Sequence, residues 1–443
     1  MASPTPQRFD PNPDPDAVRI RSFTIRGLLG GQPHEIVFPQ PDAGKSEPGI
    51  LILSGQNGSG KTTILRMIAG LLELAYDMFR KIPFTHASLV LSNGDVLSTT
   101  RTDNDEFPLR VSFRDVTATL YKTKDHTKLS NAQNAARERF RELALPILAG
   151  INFQLLDIHR TLILLRGNRS PLAELTETRA MLQFGSSLVY EPRMRTKSAR
   201  MSGDESAETP LADRVKRFMK DAQVDYRRFF SADDLDLLPR ILERFQASRR
   251  TTDRAELLAR VDAVQGRFSV MKRLGLQTDD ANLSALADLL RDDAYQESHA
   301  LTLLETYIEM QESQNKAREL IAERLLGFEE IMDEFLIGKS IRIDPRDGLK
   351  IQTGSNVLEE TDLSSGEYHF LYMMVSALLC QRSGSIIAID EPELSLHVRW
   401  QRKVLNALAR CAARASPLFI FATHSSAIAA EHADRVYSLS PVE

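Results

Sequence analysis

Gly49-Ile50-Leu51-Ile52-Leu53-Ser54-Gly55-Gln56-Asn57-Gly58-Ser59-Gly60-Lys61-Thr62-Thr63-Ile64-Leu65 is the stretch on which the fold turns. Its first six residues form an apolar run of strand length. From Thr63 to Phe79, Ile64, Leu65, Ile68, Leu71, Leu72 and Ala75 recur at helical spacing. Between the two, Gly55 to Thr62 fits the pattern G-x-x-x-x-G-K-[ST]. In such a loop Gly55, Asn57, Gly58, Ser59 and Gly60 let backbone N–H groups approach phosphate oxygens, Lys61 neutralises the β and γ oxygens, and the Thr62 hydroxyl reaches Mg²⁺; Thr63 is counted with the cradle. Strand, loop and helix follow in the order a phosphate cradle requires.

Upstream, Val18 to Leu29 and His34 to Phe38 alternate strand-like residues, which predicts two edge strands before a central strand at Gly49 to Ser54. Residues 1–17, with five prolines between Met1 and Asp16, read as a disordered leader. Downstream, Ser88 to Asp115 returns to strand periodicity with Asn93-Gly94 as a two-residue hairpin turn, and Ile151 to Ile158 reads as a further strand. These are assigned to an antiparallel flank.

At the other end of the chain, Gly366 to Gln381 predicts a helix, Ser385 to Ile389 a buried strand, Val398 to Ala415 a helix and Leu418 to Ala422 a second buried strand. That is a parallel α/β layer. Ile386-Ile387-Ala388-Ile389-Asp390-Glu391 sets two carboxylates at the carboxyl end of a buried strand, the pattern of a Walker B motif. A carboxylate there is costly unless paired or holding a metal, so Asp390 is a candidate for ordering Mg²⁺ and Glu391 for taking the proton of an attacking water. The bland alternative is a surface turn carrying two acids. Leu363-Ser364-Ser365-Gly366-Glu367 offers hydroxyls and N–H groups at a helix N-terminus, suited to an anion, though alone it is an N-cap. Thr423-His424-Ser425 brings an imidazole to the same sheet edge as Asp390, where a lone histidine would be structural.

Between these halves, Arg166 to Pro210 is polar and irregular, with Arg193, Arg195, Lys197 and Arg200 close together as a solvated loop or a nucleic-acid contact. Leu211 to Leu336 reads almost wholly as helix. Its last segment, with Ile321, Leu325, Phe328, Met332 and Phe335, implies a packed helical hairpin or short coiled coil. The polar stretch Gln311 to Glu319 breaks the heptad seam, so long rod-like arms are not expected. The division is 18–165, a mostly helical 166–336, and 337–443.

The bulk numbers allow two or three structural units in 443 residues, with 42% hydrophobic and 26% charged residues. The most apolar stretch, Phe370 to Cys380, is far short of the roughly 18 residues a membrane span needs, so no membrane partner is expected. With no signal-type leader and only Cys380 and Cys411, a disulfide framework is not expected and the cytoplasm is the default address. The net charge of −4 excludes a polycation without excluding a local basic face.

Gly55 to Thr62, LSSGE from Leu363, IIAIDEPELSLH from Ile386 and ATHS from Ala422 stand in the order found in the ABC-type, SMC-like ATPase head, which this chain resembles. The resemblance implies an α/β fold, a P-loop parallel sheet with an antiparallel β flank, interrupted by a helical insertion. It implies ATP and Mg²⁺ as ligands, with Lys61 and Thr62 on phosphate and metal, Asp390 supporting the metal, Glu391 as catalytic base and His424 sensing the γ-phosphate. Ser364, Ser365 and Gly366 would face the nucleotide of a second copy in a head-to-head dimer or higher homo-oligomer, with Ser395 and His397 in a D-loop crossing the interface. Two departures argue against a transporter subunit: Ser365 replaces the usual second glycine, and Leu394-Ser395-Leu396-His397 lacks the terminal aspartate. The Q-loop residue stays open among Gln154, Asp157 and His159.

A closer resemblance is to stand-alone bacterial ATPases of the AAA_21/AAA_15 type in anti-phage defence, such as the PtuA-like ATPases of Septu and retrons and the AriA ATPase of PARIS. It is carried by Phe153 to Arg160, Phe328 to Lys339 and Asp390 to Gln401. It implies a sensor or regulatory ATPase that controls a separate effector nuclease. Related overcoming-lysogenisation nucleases add a Toprim domain after the head, and the chain beyond His424 leaves no space for one, so a nuclease is expected in trans. The alternative is a RecF- or SMC-like repair ATPase that clamps DNA when ATP is bound.

Overall fold

In a computed structural model of the chain, residues 18–40, 48–76, 78–104, 108–120, 131–157, 210–233, 254–276, 288, 298–380, 384–412 and 415–439 are described. The described residues divide into two compact units, residues 18–157 with 364–439, and residues 210–363.

The first unit begins with strands β1 (Ile20–Arg26), β2 (His34–Val37) and β3 (Gly49–Ser54), helix α1 (Lys61–Leu72), strands β4 (His86–Leu91), β5 (Val96–Arg101), β6 (Leu109–Phe113) and β7 (Val116–Leu120), helix α2 (Asn131–Leu148) and strand β8 (Phe153–Asp157). The second unit holds α3 (Leu211–Asp233), α4 (Arg254–Arg273), α5 (Ser298–Phe335), β9 (Ser340–Asp344), β10 (Gly348–Thr353) and β11 (Asn356–Leu358). The first unit resumes with α6 (Ser365–Leu378), β12 (Ile386–Asp390), α7 (Val398–Ala412), β13 (Leu418–Thr423), α8 (Ser426–Glu431) and β14 (Val436–Ser438).

Two sheets build the first unit. One is parallel throughout, in the order β14-β3-β13-β12-β8; the other is antiparallel, in the order β2-β1-β4-β5-β6-β7. Every residue of β12 is buried, as expected for a parallel strand covered on both faces, whereas β4 alternates buried and half-buried residues. One apolar cluster joins Ile64, Leu65, Ile68 and Leu71 of α1 to Phe23, Leu89 and Val111 of the antiparallel sheet and to Leu51, Ala388 and Ile420 of the parallel sheet. The expected α/β class, with a P-loop parallel sheet and an antiparallel flank, is what the strands form.

Several expectations are corrected. Ile151 to Ile158, assigned to the antiparallel flank, instead yields β8, which pairs parallel with β12 so that Asp157 lies opposite Asp390. Its partner is more than two hundred residues away, and local periodicity carries no record of that. Of the two strands expected at an edge, β2 is an edge strand and β1 is interior, flanked by β2 and β4. The helix expected to reach Phe79 stops at Leu72, where Leu74 turns left-handed at φ 54° and the Ala75 N–H returns to the Gly70 carbonyl at 2.8 Å. Ala75 and Phe79 fold back over Gly70, where a Cβ would stand 2.8 Å from the Phe79 ring, so the apolar periodicity outlives the helix. The β4–β5 hairpin closes on three residues, Ser92 to Gly94, between the bonded pair Leu91 and Asp95: Leu91 N–H donates to the Asp95 carbonyl at 2.9 Å and Gly94 N–H, at φ 86°, donates to the Leu91 carbonyl at 3.0 Å.

In the second unit the helices form as expected, and Ile321, Leu325, Phe328, Met332 and Phe335 are all buried. Among the described helices, α4 and α5 pack as a parallel pair, which fits the coiled-coil alternative and not a direct hairpin of the two. Arg260 pairs with Glu312 at 2.6 Å and Arg273 with Glu329 at 2.9 Å, so contacts advance in step along both chains and α4 and α5 run parallel. α5 is also one unbroken helix of 38 residues, about 57 Å long at 1.5 Å per residue, longer than the broken seam suggested. The sheet β11-β10-β9 was not foreseen. Glu360 caps α3 from a distance, accepting from Leu211 N–H at 3.1 Å and Ala212 N–H at 2.7 Å. Arg193, Arg195, Lys197 and Arg200 lie outside the described residues.

Candidate functional site

The carboxyl ends of the parallel strands gather the expected site residues. Ser54, the last residue of β3, pairs with Thr423, the last of β13, and Asp390 pairs with Ala422 and Asp157. The loop from Gly55, the turn from Glu391 and the segment from His424 therefore leave the sheet at one edge. That edge is where ligands of parallel α/β sheets bind.

The loop after β3 has the build of an anion cradle. Gly58 and Gly60 sit at φ 85° and 91°, conformations costly for any residue with a Cβ. Gly55 packs so closely that a Cβ would stand 2.7 Å from Ser59 Oγ. Ser59 Oγ is itself buried without a partner, and Gly60, the N-cap of α1, provides no side chain for the helix's first N–H groups. An orphaned buried hydroxyl, uncapped helix donors and left-handed glycines fit a phosphate group. Lys61 is buried, and its ammonium donates to the carbonyls of Gly55 at 2.8 Å and Gln56 at 3.0 Å. An ammonium has three donors, which leaves one for a phosphate oxygen. Asn57 and Thr63 frame the cradle in the loop and the first helical turn.

Thr62 Oγ1 donates to Asp390 Oδ1 at 3.1 Å, joining residues 328 positions apart in sequence. Asp390 is 9% exposed, and a hydroxyl beside a buried carboxylate is a donor set suited to hard Mg²⁺. Glu391, the next residue, holds the left-handed φ of 53°, fixed by its N–H on the Ala422 carbonyl at 2.8 Å and by Leu394 N–H on its own carbonyl at 3.0 Å. A non-glycine residue in this region marks a turn held by its surroundings.

His424 is organised by a residue the sequence reading passed over. Glu393 is buried, and its Oε1 accepts from His424 N–H at 2.8 Å and Ser425 N–H at 3.2 Å while lying 3.0 Å from His424 Nδ1. Gln401 continues the network, accepting from Ser425 Oγ at 2.8 Å and donating to the Leu396 carbonyl at 3.0 Å. With Nδ1 committed to Glu393, the half-exposed ring keeps Nε2 for a ligand. The second glutamate of Glu391-Pro392-Glu393 was the available signal: an acid two residues past Glu391, before an apolar residue, needs its own donors.

Ser364 is the N-cap of α6. Its N–H donates to Glu367 Oε2 at 2.8 Å and its hydroxyl accepts from Glu367 N–H at 3.3 Å, a reciprocal capping box. The hydroxyl retains its own hydrogen, so capping does not exclude an anion. Ser365 opens α6. Gly366 packs against the Ser395 carbonyl with no space for a Cβ. Ser395, at φ 62°, and His397 are exposed. Gln154 lies within β8 and Asp157 ends it, while His159 is outside the described residues.

Residues 197–430, more than half of the chain, match the AAA_21 family, described as "AAA domain, putative AbiEii toxin, Type IV TA system". The chain belongs to the AAA_21 family. The assignment bears out the AAA_21 part of the resemblance read from the sequence. Among curated proteins, this AAA_21 chain is 37% identical over 54 residues to the cytochrome c biogenesis ATP-binding export protein CcmA of Reclinomonas americana. That match spans 12% of the chain and about a quarter, 24%, of the relative's length. Two solved structures align broadly. The Smc head domain with an extended coiled coil bound to the C-terminal domain of ScpA, from Pyrococcus furiosus, is 16% identical with a TM-score of 0.41, over 94% of this chain and 92% of that one. An SmcHead bound to the C-winged helix domain of ScpA is 11% identical with a TM-score of 0.36, over 93% and 92%. Neither likeness is close enough to bear on function. Among the described residues, no helix is long and apolar enough to cross a membrane.

Proposed function

We propose that this AAA_21 chain binds ATP and Mg²⁺ at the Gly55–Thr62 loop, hydrolyses ATP to ADP and phosphate, and uses the bound state to draw two heads together. The meeting of Thr62 and Asp390 at 3.1 Å carries the reading, because it unites two distant motifs at the edge where phosphate would lie. Thr62 and Asp390 would hold the metal, whose chemistry is to withdraw charge from the β and γ oxygens. Lys61 and the loop N–H groups neutralise and position the phosphates. Glu391 accepts a proton from the attacking water as the water oxygen bonds to the γ phosphorus and the bond from that phosphorus to ADP breaks. His424, steadied by Glu393, hydrogen-bonds the γ-phosphate and distinguishes ATP from ADP. Ser364, Ser365 and Gly366 offer donors to the nucleotide of a second copy, so occupancy is read out as association.

The family description, which refers to a putative AbiEii toxin and a type IV TA system, supports placing this switch in a toxin-linked system. Together with the resemblance to anti-phage ATPases, it favours control of a separate nuclease effector. Glu391→Gln tests the catalytic reading: ATP affinity is expected within about threefold of wild type, turnover at least about a hundredfold lower, and a dimer trapped with ATP in light scattering. Lys61→Ala loses binding as well. Unchanged turnover in Glu391→Gln removes that residue from the base role. Purification from the native host with and without ATP tests the partner. Recovery of a nuclease supports the effector reading, whereas ATP-dependent, steeply salt-sensitive duplex binding without one transfers the case to a DNA clamp.

A further inference from the structure

The most deeply buried histidine among the described residues, His369, is left unused by the proposed mechanism. His369 lies on α6, one turn past the Ser364–Gly366 segment, and is 1% exposed. Its Nδ1 stands 2.6 Å from the Leu394 carbonyl. A carbonyl only accepts, so Nδ1 carries the hydrogen and Nε2, which has no partner, holds the lone pair. Burial lowers the ring's pKa to about 4, which keeps it neutral near physiological pH. Leu394 in turn gives its N–H to the Glu391 carbonyl at 3.0 Å. The chain of bonds therefore runs from α6 through Leu394 to the residue placed as the general base.

Packing ties the same elements together. Gly366 closes on the Ser395 carbonyl, Phe370 of α6 lies against Trp400 of α7 with ring centroids 5.3 Å apart, and Cys411 Sγ donates to the Met374 carbonyl at 3.4 Å. Glu391 and Ser395 both need support for their positive φ, and the turn between them is what His369 holds. An apolar side chain of similar size would fill the space without making that bond.

We propose that His369 is a positioning residue whose Nδ1–H bond to Leu394 locks the Glu391–Ser395 turn to α6, so that a displacement at Ser364–Gly366 is transmitted to Glu391. The proposal rests on the reading of Glu391 as the base. The test compares His369→Leu, which removes the donor, with His369→Asn, whose amide nitrogen falls near the place of Nδ1, using the full chain. Expected are ATP affinities within twofold of wild type for both variants, a kcat reduced at least tenfold in His369→Leu, and recovery to within threefold in His369→Asn. Amide exchange at Leu394 is expected to quicken about tenfold in His369→Leu only. Wild-type kcat in His369→Leu, equal loss in both variants, or unchanged exchange at Leu394 overturns the proposal. If wild type does not turn over ATP, the catalytic reading fails by itself, and exchange at Leu394 still decides whether His369 holds the turn.

Discussion

Removing the carboxylate of Glu393 should loosen the segment that presents His424 more than any other change at the sheet edge. The side chain is 6% exposed, and one oxygen, Oε1, takes His424 N–H at 2.8 Å, Ser425 N–H at 3.2 Å and the His424 ring at 3.0 Å. Hydrogen bonds to a charged group contribute about 1.5–3 kcal/mol each, and an orphaned buried donor costs about 1–3 kcal/mol. Against this, Glu393→Ala relieves the cost of burying a carboxylate, several kcal/mol before compensation. The other oxygen, Oε2, is buried without a partner, so that offset is substantial. Balancing these gives a local loss of about 2–4 kcal/mol, which at about 1.4 kcal/mol per decade raises amide exchange at His424 and Ser425 by roughly one and a half to three orders of magnitude. Exchange is the suitable assay because a chain of two units need not unfold in one step. Glu393→Gln keeps one acceptor oxygen and should fall between. Exchange at both amides within threefold of wild type in Glu393→Ala would refute the idea that this carboxylate organises the segment.

Two further predictions are independent of it. Gly366→Ala drives a Cβ into the Ser395 carbonyl, and overpacking of this kind costs about 1–3 kcal/mol; nucleotide affinity should persist while turnover falls at least about tenfold, and wild-type turnover would contradict the packing described. Glu73, at the C-terminal end of α1, has its pKa raised to about 7 by burial. Its folded form favours the proton, so no stability difference arises below the unfolded value of about 4.5 and the penalty grows as pH rises from there through 7. Because Glu73 is partly exposed, Glu73→Gln is expected to stabilise by only about 1 kcal/mol at pH 8 and not at all at pH 4, read from chemical denaturation.

What the sequence disclosed follows from how local each signal is. The cradle at Gly55 to Thr62 was legible because strand, glycines, lysine and helix are contiguous, and β12 and β13, apolar up to their last residues Asp390 and Thr423, read as buried strands. β8 was legible as a strand and illegible as a neighbour of β12, because pairing is a tertiary choice that Phe153 to Asp157 does not encode alone. Glu393 and His369 escaped for a related reason. Each serves a backbone group brought near only by folding, His424 N–H in one case and the Leu394 carbonyl in the other. α1 was overextended because Ala75 and Phe79 keep helical spacing while packing back over Gly70.

The parallel pairing of β8 sets the covalent entry and exit of everything between Asp157 and Ser364. The chain departs from the strand end opposite Asp390 and returns at the cap of α6. The first attachment strand pairs with β12, and the second attachment point is Ser364, the N-cap of α6. Any ligand of the intervening chain that tells a nucleotide-bound head from a free one must, by reciprocity, alter nucleotide affinity by the same factor by which nucleotide alters its own.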